Sequence, residues 1–380
     1  MRNAGRDAAL VLSGGGINGI LLELGFLKRL RETQLWPRVG WIYGTSAGAL
    51  SGTMAALDRL DDLEQFLYGL RSDEVFRPRK MWQLPLAGLH EYTLPKTIAE
   101  RLGDPETLGS ELASADIELV VYATDVSPHA DGDGRRHYEL SYSSRTTPHE
   151  IMGRAILASA AISALVLPLP VGDRIATDGG WVRNFPLAHA YDNPEVHTIV
   201  GFRYVSRYPT PGTENLARLR RRLERFRAAP PVRALLGELE EAEARQARGE
   251  PAHLPEMIMR LMRVAVARNT ELEERSARER DASVRELESL RRDMTAIAAA
   301  NATPWRRKRA REAVEQRFAA ARFPFRHDRI LPTVIVRGDA GPHALDPAFR
   351  QGLEWPEEAK LGLVRRGYEL TDAALRGAAP

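Results

Sequence analysis

The stretch AALVLSGGGINGILLELGFLKRL (residues 8–30) joins a short apolar run, a turn rich in glycine and a helical pattern. This order predicts a buried strand, a tight turn and a helix. Gly14, Gly16 and Gly19 match G-x-G-x-x-G, in which glycine frees the backbone and the N–H groups at the helix start attract an anion. The turn therefore predicts an anion site, for which pyrophosphate, a carboxylate and a transient oxyanion are all candidates.

Further strand and helix patterns alternate along the chain. Helices are predicted over 18–32 and 47–60, and this alternation with strands favours a mainly parallel α/β sheet. The predicted strands cover 8–12, 39–43, 116–124, 136–140, 173–177, 197–205 and 330–336.

The composition is that of an ordinary globular protein. The 380 residues are 43% hydrophobic and 28% charged, with a formal net charge of +3. No cysteine is present, which excludes disulfides and cysteine nucleophiles. The longest apolar stretch, residues 156–171, is too short to span a bilayer. The N-terminus does not have the order of a signal peptide. We expect a cytoplasmic protein, with peripheral membrane contact and secretion as an effector left open.

Residues 211–322 form a segment of a different kind. They hold 25 Lys and Arg against 18 Asp and Glu and have no strand pattern. Their apolar residues recur at helical spacing, so we predict a helical insertion, with helix boundaries near Pro230, Pro251, Pro255 and Pro304. A solvated bundle packed on the core is the commoner fate of such a segment, although the Arg-rich WRRKRAR (305–311) suits anionic lipid.

A candidate nucleophile follows the second predicted strand. GTSAG (44–48) is G-x-S-x-G between a strand and a helix, which is the context that projects a serine Oγ from a strained turn. A dinucleotide site would need a carboxylate here for the ribose, and the sequence has Tyr43, Gly44 and Thr45 instead. A phosphate loop is excluded because Ile20 and Leu21 follow Gly19. These exclusions leave the glycine turn for an oxyanion.

The candidate base is Asp178, which follows the strand-like RIAT and precedes two glycines. Burial raises the pKa of a carboxyl group, and a raised pKa suits a general base. A simple turn aspartate is an equally common explanation of this pattern. A histidine base, His327 or His343, is the alternative, but both stand in polar loop sequences where a solvated histidine is more common.

Taken together, GGGING (14–19), GTSAG (44–48) and DGG (178–180) resemble the patatin-like phospholipase family. The similarity extends to residues 154–171, to DGGWVRNFPLAHA (178–190) and to the tail 346–375. The resemblance implies a three-layer α/β sandwich, with core regions 1–210 and 323–380 around the insertion 211–322. It implies a Ser46/Asp178 dyad, an oxyanion hole from Gly15 and Gly16 with Gly14 as a further candidate, and supporting glycines at 19, 44, 48, 179 and 180.

The expected activity is hydrolysis of membrane phospholipid or another lipid ester through an acyl-serine intermediate, with no metal or cofactor and no nucleic-acid partner. An acyltransferase and a lipid-binding module with an idle dyad remain alternatives. Asn18 departs from the family, which often has a basic residue there, and its consequence stays open. The oligomeric state, the lipid headgroup and the role of the insertion are not predicted.

Overall fold

A computed structural model describes residues 5–78, 90–128, 138–162, 165–204, 220–221, 223–250, 254–323, 326–341, 344–345 and 355–377. The predicted helix boundary Pro251 and the candidate base His343 lie outside the described residues, as do residues 136, 137 and 205 of two predicted strands.

A mixed, mostly parallel sheet forms the centre of the fold, which confirms the predicted α/β class. The order of its strands is β10-β9-β1-β2-β5-β8-β7, and β6 also pairs with β5. Strands β10, β9, β1, β2 and β5 are parallel, whereas β6 and β8 run antiparallel to β5 and β7 runs antiparallel to β8. The sheet strands are β1 (Ala8–Leu12), β2 (Val39–Thr45), β5 (Glu118–Asp125), β6 (Glu139–Ser143), β7 (Leu169–Val171), β8 (Arg174–Asp178), β9 (Thr198–Tyr204) and β10 (Thr333–Gly338); β3 (Phe76–Pro78) and β4 (His90–Tyr92) form a separate antiparallel pair.

Helices cover both faces of the sheet. Alternate residues of β1 face opposite sides, because Leu10 and Leu12 belong to one hydrophobic cluster and Ala9 and Val11 to another. The described helices are α1 (Gly16–Arg31), α2 (Ala47–Ala56), α3 (Leu60–Gly69), α4 (Leu94–Arg101), α5 (Pro105–Ser114), α6 (His149–Ser159), α7 (Leu187–Asp192), α8 (Pro230–Ala247), α9 (Leu254–Ala300), α10 (Arg307–Ala319) and α11 (Glu357–Gly377).

Extra helices lie in the chain between β9 and β10, as the sequence predicts. Helix α8 begins at Pro230, and a short 3-10 turn, Pro304–Arg306, separates α9 from α10. Helix α9 packs on the core, since Ala277 belongs to the same buried cluster as Val11 and Leu187. No helix among the described residues is long and apolar enough to cross a membrane. The boundaries of the three predicted regions remain a prediction.

The strand register brings two distant chain segments to one level. Thr45, the last residue of β2, pairs with Tyr122 of β5, and the next residue, Ala123, pairs with Asp178 at the end of β8. Because β8 is antiparallel to β5, its end meets β5 where β2 stops. The segment after β2 and the end of β8 therefore adjoin.

Candidate active site

Ser46 occupies a strained turn between β2 and α2. Its φ of 54° and ψ of −116° lie in a region that residues other than glycine rarely adopt. The turn is tight because a Cβ on Gly44 would lie 2.3 Å from the carbonyl oxygen of Gly48. The N–H of Ser46 donates to Ser159 Oγ at 2.8 Å, and Ser159 Oγ in turn donates to Tyr122 O at 2.6 Å. These bonds hold the strained backbone in place.

Asp178 meets Ser46 as a buried hydrogen-bonded pair. Ser46 Oγ donates to Asp178 Oδ2 at 2.7 Å, and the N–H of Gly180 donates to Asp178 Oδ1 at 2.7 Å. Burial raises the pKa of Asp178 to about 6, against the opposing effect of the hydrogen bonds from Ser46 and Gly180. The carboxylate can therefore accept a proton from Ser46 near neutral pH.

The glycine turn lies against the nucleophile. A Cβ on Gly14 would lie 3.1 Å from Ser46 Cβ, and Gly16 has a positive φ of 55°. The N–H of Gly14 donates to Asn184 O at 3.1 Å, so it is already used. Within the described part of the chain, the N–H groups of Gly15 and Gly16 have no hydrogen-bond acceptor. They stand at the start of α1, where the helix dipole favours negative charge.

Two of the remaining predicted glycines provide close packing around the dyad. A Cβ on Gly48 would lie 2.4 Å from Leu12 O, and one on Gly179 would lie 2.2 Å from Tyr122 O. Side chains at Gly48 and Gly179 would therefore displace the segments that carry Ser46 and Asp178. Gly19 is less crowded, because its Cβ would meet Ala47 Cβ and the Tyr204 ring at the ordinary contact distance of 3.8 Å.

Asn184 connects the site to helix α9, a link that the sequence patterns do not reveal. Its backbone N–H donates to Asn269 Oδ1 at 3.2 Å, and its side-chain Nδ2 donates to Thr270 Oγ1 at 3.1 Å. Asn269 Nδ2 donates to Gly180 O at 2.7 Å. Arg183 extends the link by pairing with Glu273 of α9. Asn184 belongs to the quoted DGG motif segment, whereas nothing in the sequence points to Asn269.

A cavity of about 300 Å³ opens at the dyad. Ser46, Asp178 and the glycine turn form one end of its lining, and the walls are mainly apolar. Apolar walls next to a few polar groups are typical of a site for a ligand with a hydrocarbon part. The apolar lining comes from several elements, namely Phe66, Leu67, Leu70, Phe76, Leu94 and Leu165 of the core and Met262 and Val266 of α9.

Two arginines add positive charge to the cavity lining. Arg203, at the end of β9, lies 2.7 Å from the buried carboxylate of Glu274, and Arg263 comes from α9. Glu274 also pairs with Arg337 at 2.6 Å, so its negative charge is shared. Sequence reasoning missed both lining arginines because their side chains reach the cavity only through the packing of β9 and α9.

No histidine lines the cavity in the part of the chain that the structure describes. His327 contacts Phe323 at a ring distance of 4.5 Å and is not among the residues that line the cavity. The described residues contain no cluster of three or more histidine, aspartate or glutamate side chains arranged for a metal ion.

Asn18 has a structural contact that accounts for its burial. Its Nδ2 donates to Leu345 O at 3.0 Å, and its Oδ1 accepts from the N–H of Leu345 at 2.8 Å. The side chain thus satisfies both backbone groups of one residue in the segment before α11. A basic side chain could not accept the hydrogen bond from the N–H of Leu345.

Residues 10–191 match the family model described as patatin-like phospholipase. The resemblance predicted from the motifs is therefore confirmed over these residues. Among solved structures, the chain is similar to VipD from Legionella pneumophila, at 15% identity and a TM-score of 0.43, over 98% of this chain and 67% of that one. No curated protein sequence matches the chain. The family match supports lipid acyl hydrolysis, and lipid as the class of substrate, in general terms.

Proposed function

We propose that this chain is a phospholipase A-type acyl hydrolase with Ser46 as nucleophile and Asp178 as base. The proposal starts from the match of residues 10–191 to the patatin-like phospholipase family. The observation that carries the proposal is the buried hydrogen bond of 2.7 Å from Ser46 Oγ to Asp178 Oδ2, at the end of a mainly apolar cavity. The cavity suits an acyl chain, and the dyad suits attack on its ester.

In the first half of the reaction, Asp178 takes the proton of Ser46 while Oγ attacks the ester carbonyl carbon. The N–H groups of Gly15 and Gly16 hold the oxyanion that forms. The N–H of Gly14 is not assigned to the oxyanion, because it already donates to Asn184 O. The C–O bond to the alcohol breaks, and Asp178 returns the proton to the departing oxygen, leaving an acyl-serine.

In the second half, Asp178 takes a proton from water and the hydroxyl attacks the acyl-serine carbonyl. Collapse of this second tetrahedral intermediate releases the fatty acid, and the proton returns to Ser46 Oγ. With pKa about 6, Asp178 is a carboxylate at neutral pH and becomes a carboxylic acid within each half-reaction.

Labelling with a fluorophosphonate probe tests this proposal. We expect the wild type to label and to release fatty acid from a phospholipid, whereas Ser46→Ala does neither. Ser283→Ala removes an exposed helical hydroxyl that donates only to Glu279 O, so it serves as the matched serine control and should label normally. Labelling of Ser46→Ala at the wild-type rate would refute the assignment of the nucleophile.

The products decide between hydrolysis and transfer. Free fatty acid indicates water as the acceptor, whereas a new ester formed with an added alcohol indicates an acyltransferase that uses the same acyl-serine. The proposed location is cytoplasmic with peripheral contact to membranes, which fractionation of cells that produce the protein tests directly.

A further inference from the structure

The outer side of the first half of α9 carries exposed apolar side chains. Met257, Leu261 and Val264 are 41%, 57% and 66% exposed. Their spacing of four and three residues places them on one face of the helix, in what we call the outer stripe. Such a run of large apolar side chains in water is unfavourable unless it meets a partner.

The other side of the same half-helix forms the wall of the cavity. Met262 and Val266 line the cavity, and Met262 also packs on a cluster that contains Leu165 and Val166. The next residue, Leu167, is exposed. The outer stripe is therefore on the outside of the wall whose inside faces the dyad.

Positive charge accompanies the outer stripe. Residues 254–268 contain three arginines and one glutamate, whereas residues 269–300 contain eight acidic and six basic residues. Arg260 donates to Gly249 O at 2.6 Å, which holds this half of the helix beside the end of α8. Arg268 is exposed on the same half and lies 3.4 Å from Glu271, whereas Arg263 belongs to the cavity lining on the other side of the helix. Three arginines against one glutamate give residues 254–268 a net charge of +2, and an apolar strip on a positively charged half-helix fits an anionic lipid surface.

We propose that the outer stripe docks the protein on an anionic phospholipid bilayer, with Met257, Leu261 and Val264 inserted among the lipid headgroups. Docking in this orientation sets the outside of the cavity wall against the bilayer, so that only helix α9 separates this part of the cavity from the lipid. The binding itself does not depend on catalysis; only its purpose, delivery of a lipid ester to Ser46, rests on the proposed function.

A pair of matched double variants tests the docking surface. Leu261→Asp with Val264→Asp changes the outer stripe. The control, Leu290→Asp with Ile297→Asp, changes residues of the same helix that are 48% and 62% exposed, in its second half. All four positions are exposed, so both variants should keep the wild-type melting temperature and circular dichroism.

Flotation with vesicles measures binding, in a Ser46→Ala background that prevents hydrolysis. We expect the parent and the control variant to bind vesicles of phosphatidylcholine mixed with phosphatidylglycerol more tightly than vesicles of phosphatidylcholine alone. The stripe variant should bind the mixed vesicles about tenfold more weakly or worse, because it loses two apolar contacts and gains two negative charges.

Four outcomes would overturn the proposal. The first is equal binding by the stripe variant and the parent, and the second is an equal loss in the control variant. The third is a concentration-dependent dimer in sedimentation that the stripe variant abolishes, since a second copy of the chain would then be the occupant. Loss of binding in Trp305→Asp alone, at an exposed residue before α10, would likewise place the surface elsewhere.

A soluble ester separates this proposal from the proposed function. With Ser46 present, the stripe variant should hydrolyse a short-chain ester below its micellar concentration at the wild-type rate and hydrolyse vesicle phospholipid at a reduced rate. If the wild type hydrolyses neither substrate but still binds vesicles through the outer stripe, the proposed function fails and the docking surface stands.

Discussion

Replacing Asp178 by asparagine should stabilise the protein while it removes the base. The buried carboxyl group has a pKa of about 6, against an ordinary value of 3.8, because burial disfavours its charged form. Each pKa unit corresponds to about 1.36 kcal/mol, so ionisation of Asp178 costs the folded state about 3 kcal/mol relative to the unfolded state. Asparagine has nearly the same shape as aspartate and is uncharged throughout the pH range in which Asp178 titrates.

The direction in which the stability of the wild type changes with pH depends on how tightly each state binds the proton of Asp178. Since the folded state holds the proton of Asp178 more tightly than the unfolded state, the stability of the wild type falls as the pH rises from about 4 to about 7. The stability of Asp178→Asn lacks this decrease. The advantage of the variant should therefore grow from about 1.5 kcal/mol near pH 5 to about 3 kcal/mol near pH 8.

Urea unfolding of both proteins at several pH values measures this difference. Asp125→Asn is the matched control, because Asp125 ends the neighbouring strand β5. Burial alone would raise the pKa of Asp125, but hydrogen bonds from Ser127 and pairing with Arg174 lower it. The control should therefore be less stable than the wild type at neutral pH, the opposite of Asp178→Asn.

The opposite result would be that Asp178→Asn is no more stable than the wild type near pH 8 and that the two proteins have the same pH dependence of stability. That result would mean that the carboxyl group of Asp178 titrates in the folded protein as it does in water. Activity provides a separate check, since loss of a general base should lower kcat about 100-fold to 10,000-fold.

Three further predictions concern the same site. Gly15→Ala should lower kcat/KM by about 100-fold or more, because its Cβ would lie 2.7 Å from Gly19 Cα and 2.8 Å from the Tyr204 ring and so would displace an oxyanion donor; wild-type kinetics would contradict this. Ser159→Ala should destabilise the protein by about 1 to 3 kcal/mol in urea unfolding and slow probe labelling, because it leaves the buried N–H of Ser46 without an acceptor; unchanged values of both would count against that role. The kcat/KM of the wild type should rise with pH through an apparent pKa of about 6, and a profile that is flat from about pH 5 to 8 would argue against a carboxylate base.

Much of the fold could be predicted from local sequence patterns. Strands β1, β2 and β9 are apolar runs long enough to show their type, and α1 begins at the predicted glycine turn. The strands β3, β4 and β7 were not predicted, because each has three residues and so is too short to show an alternating pattern. Their pairing depends on partners that lie elsewhere in the chain.

The candidate site also has a part that local motifs predict and a part that depends on the tertiary structure. The motifs single out Ser46 and Asp178, and the structure brings these side chains together; their catalytic roles stay a prediction. Ser159 and Asn269 could not be found, because their hydrogen bonds join segments that are distant in the sequence. Asn184 lies in the quoted DGG segment, but its link to α9 could not be found for the same reason. The sequence favours a solvated bundle packed on the core for residues 211–322. It does not predict that one side of α9 lines the cavity.

The connection between β9 and β10 has a consequence for how the chain reaches its native state. These strands are parallel neighbours, with Ile199 paired to Thr333, so the whole segment that contains α8, α9 and α10 closes a single long loop. The entropy of loop closure grows only with the logarithm of length, by about 0.6 kcal/mol per doubling, whereas distant contacts form slowly. We therefore expect β10, and with it α11 and the segment held by Asn18, to join the sheet late in folding, after the strands that carry Ser46 and Asp178 have paired.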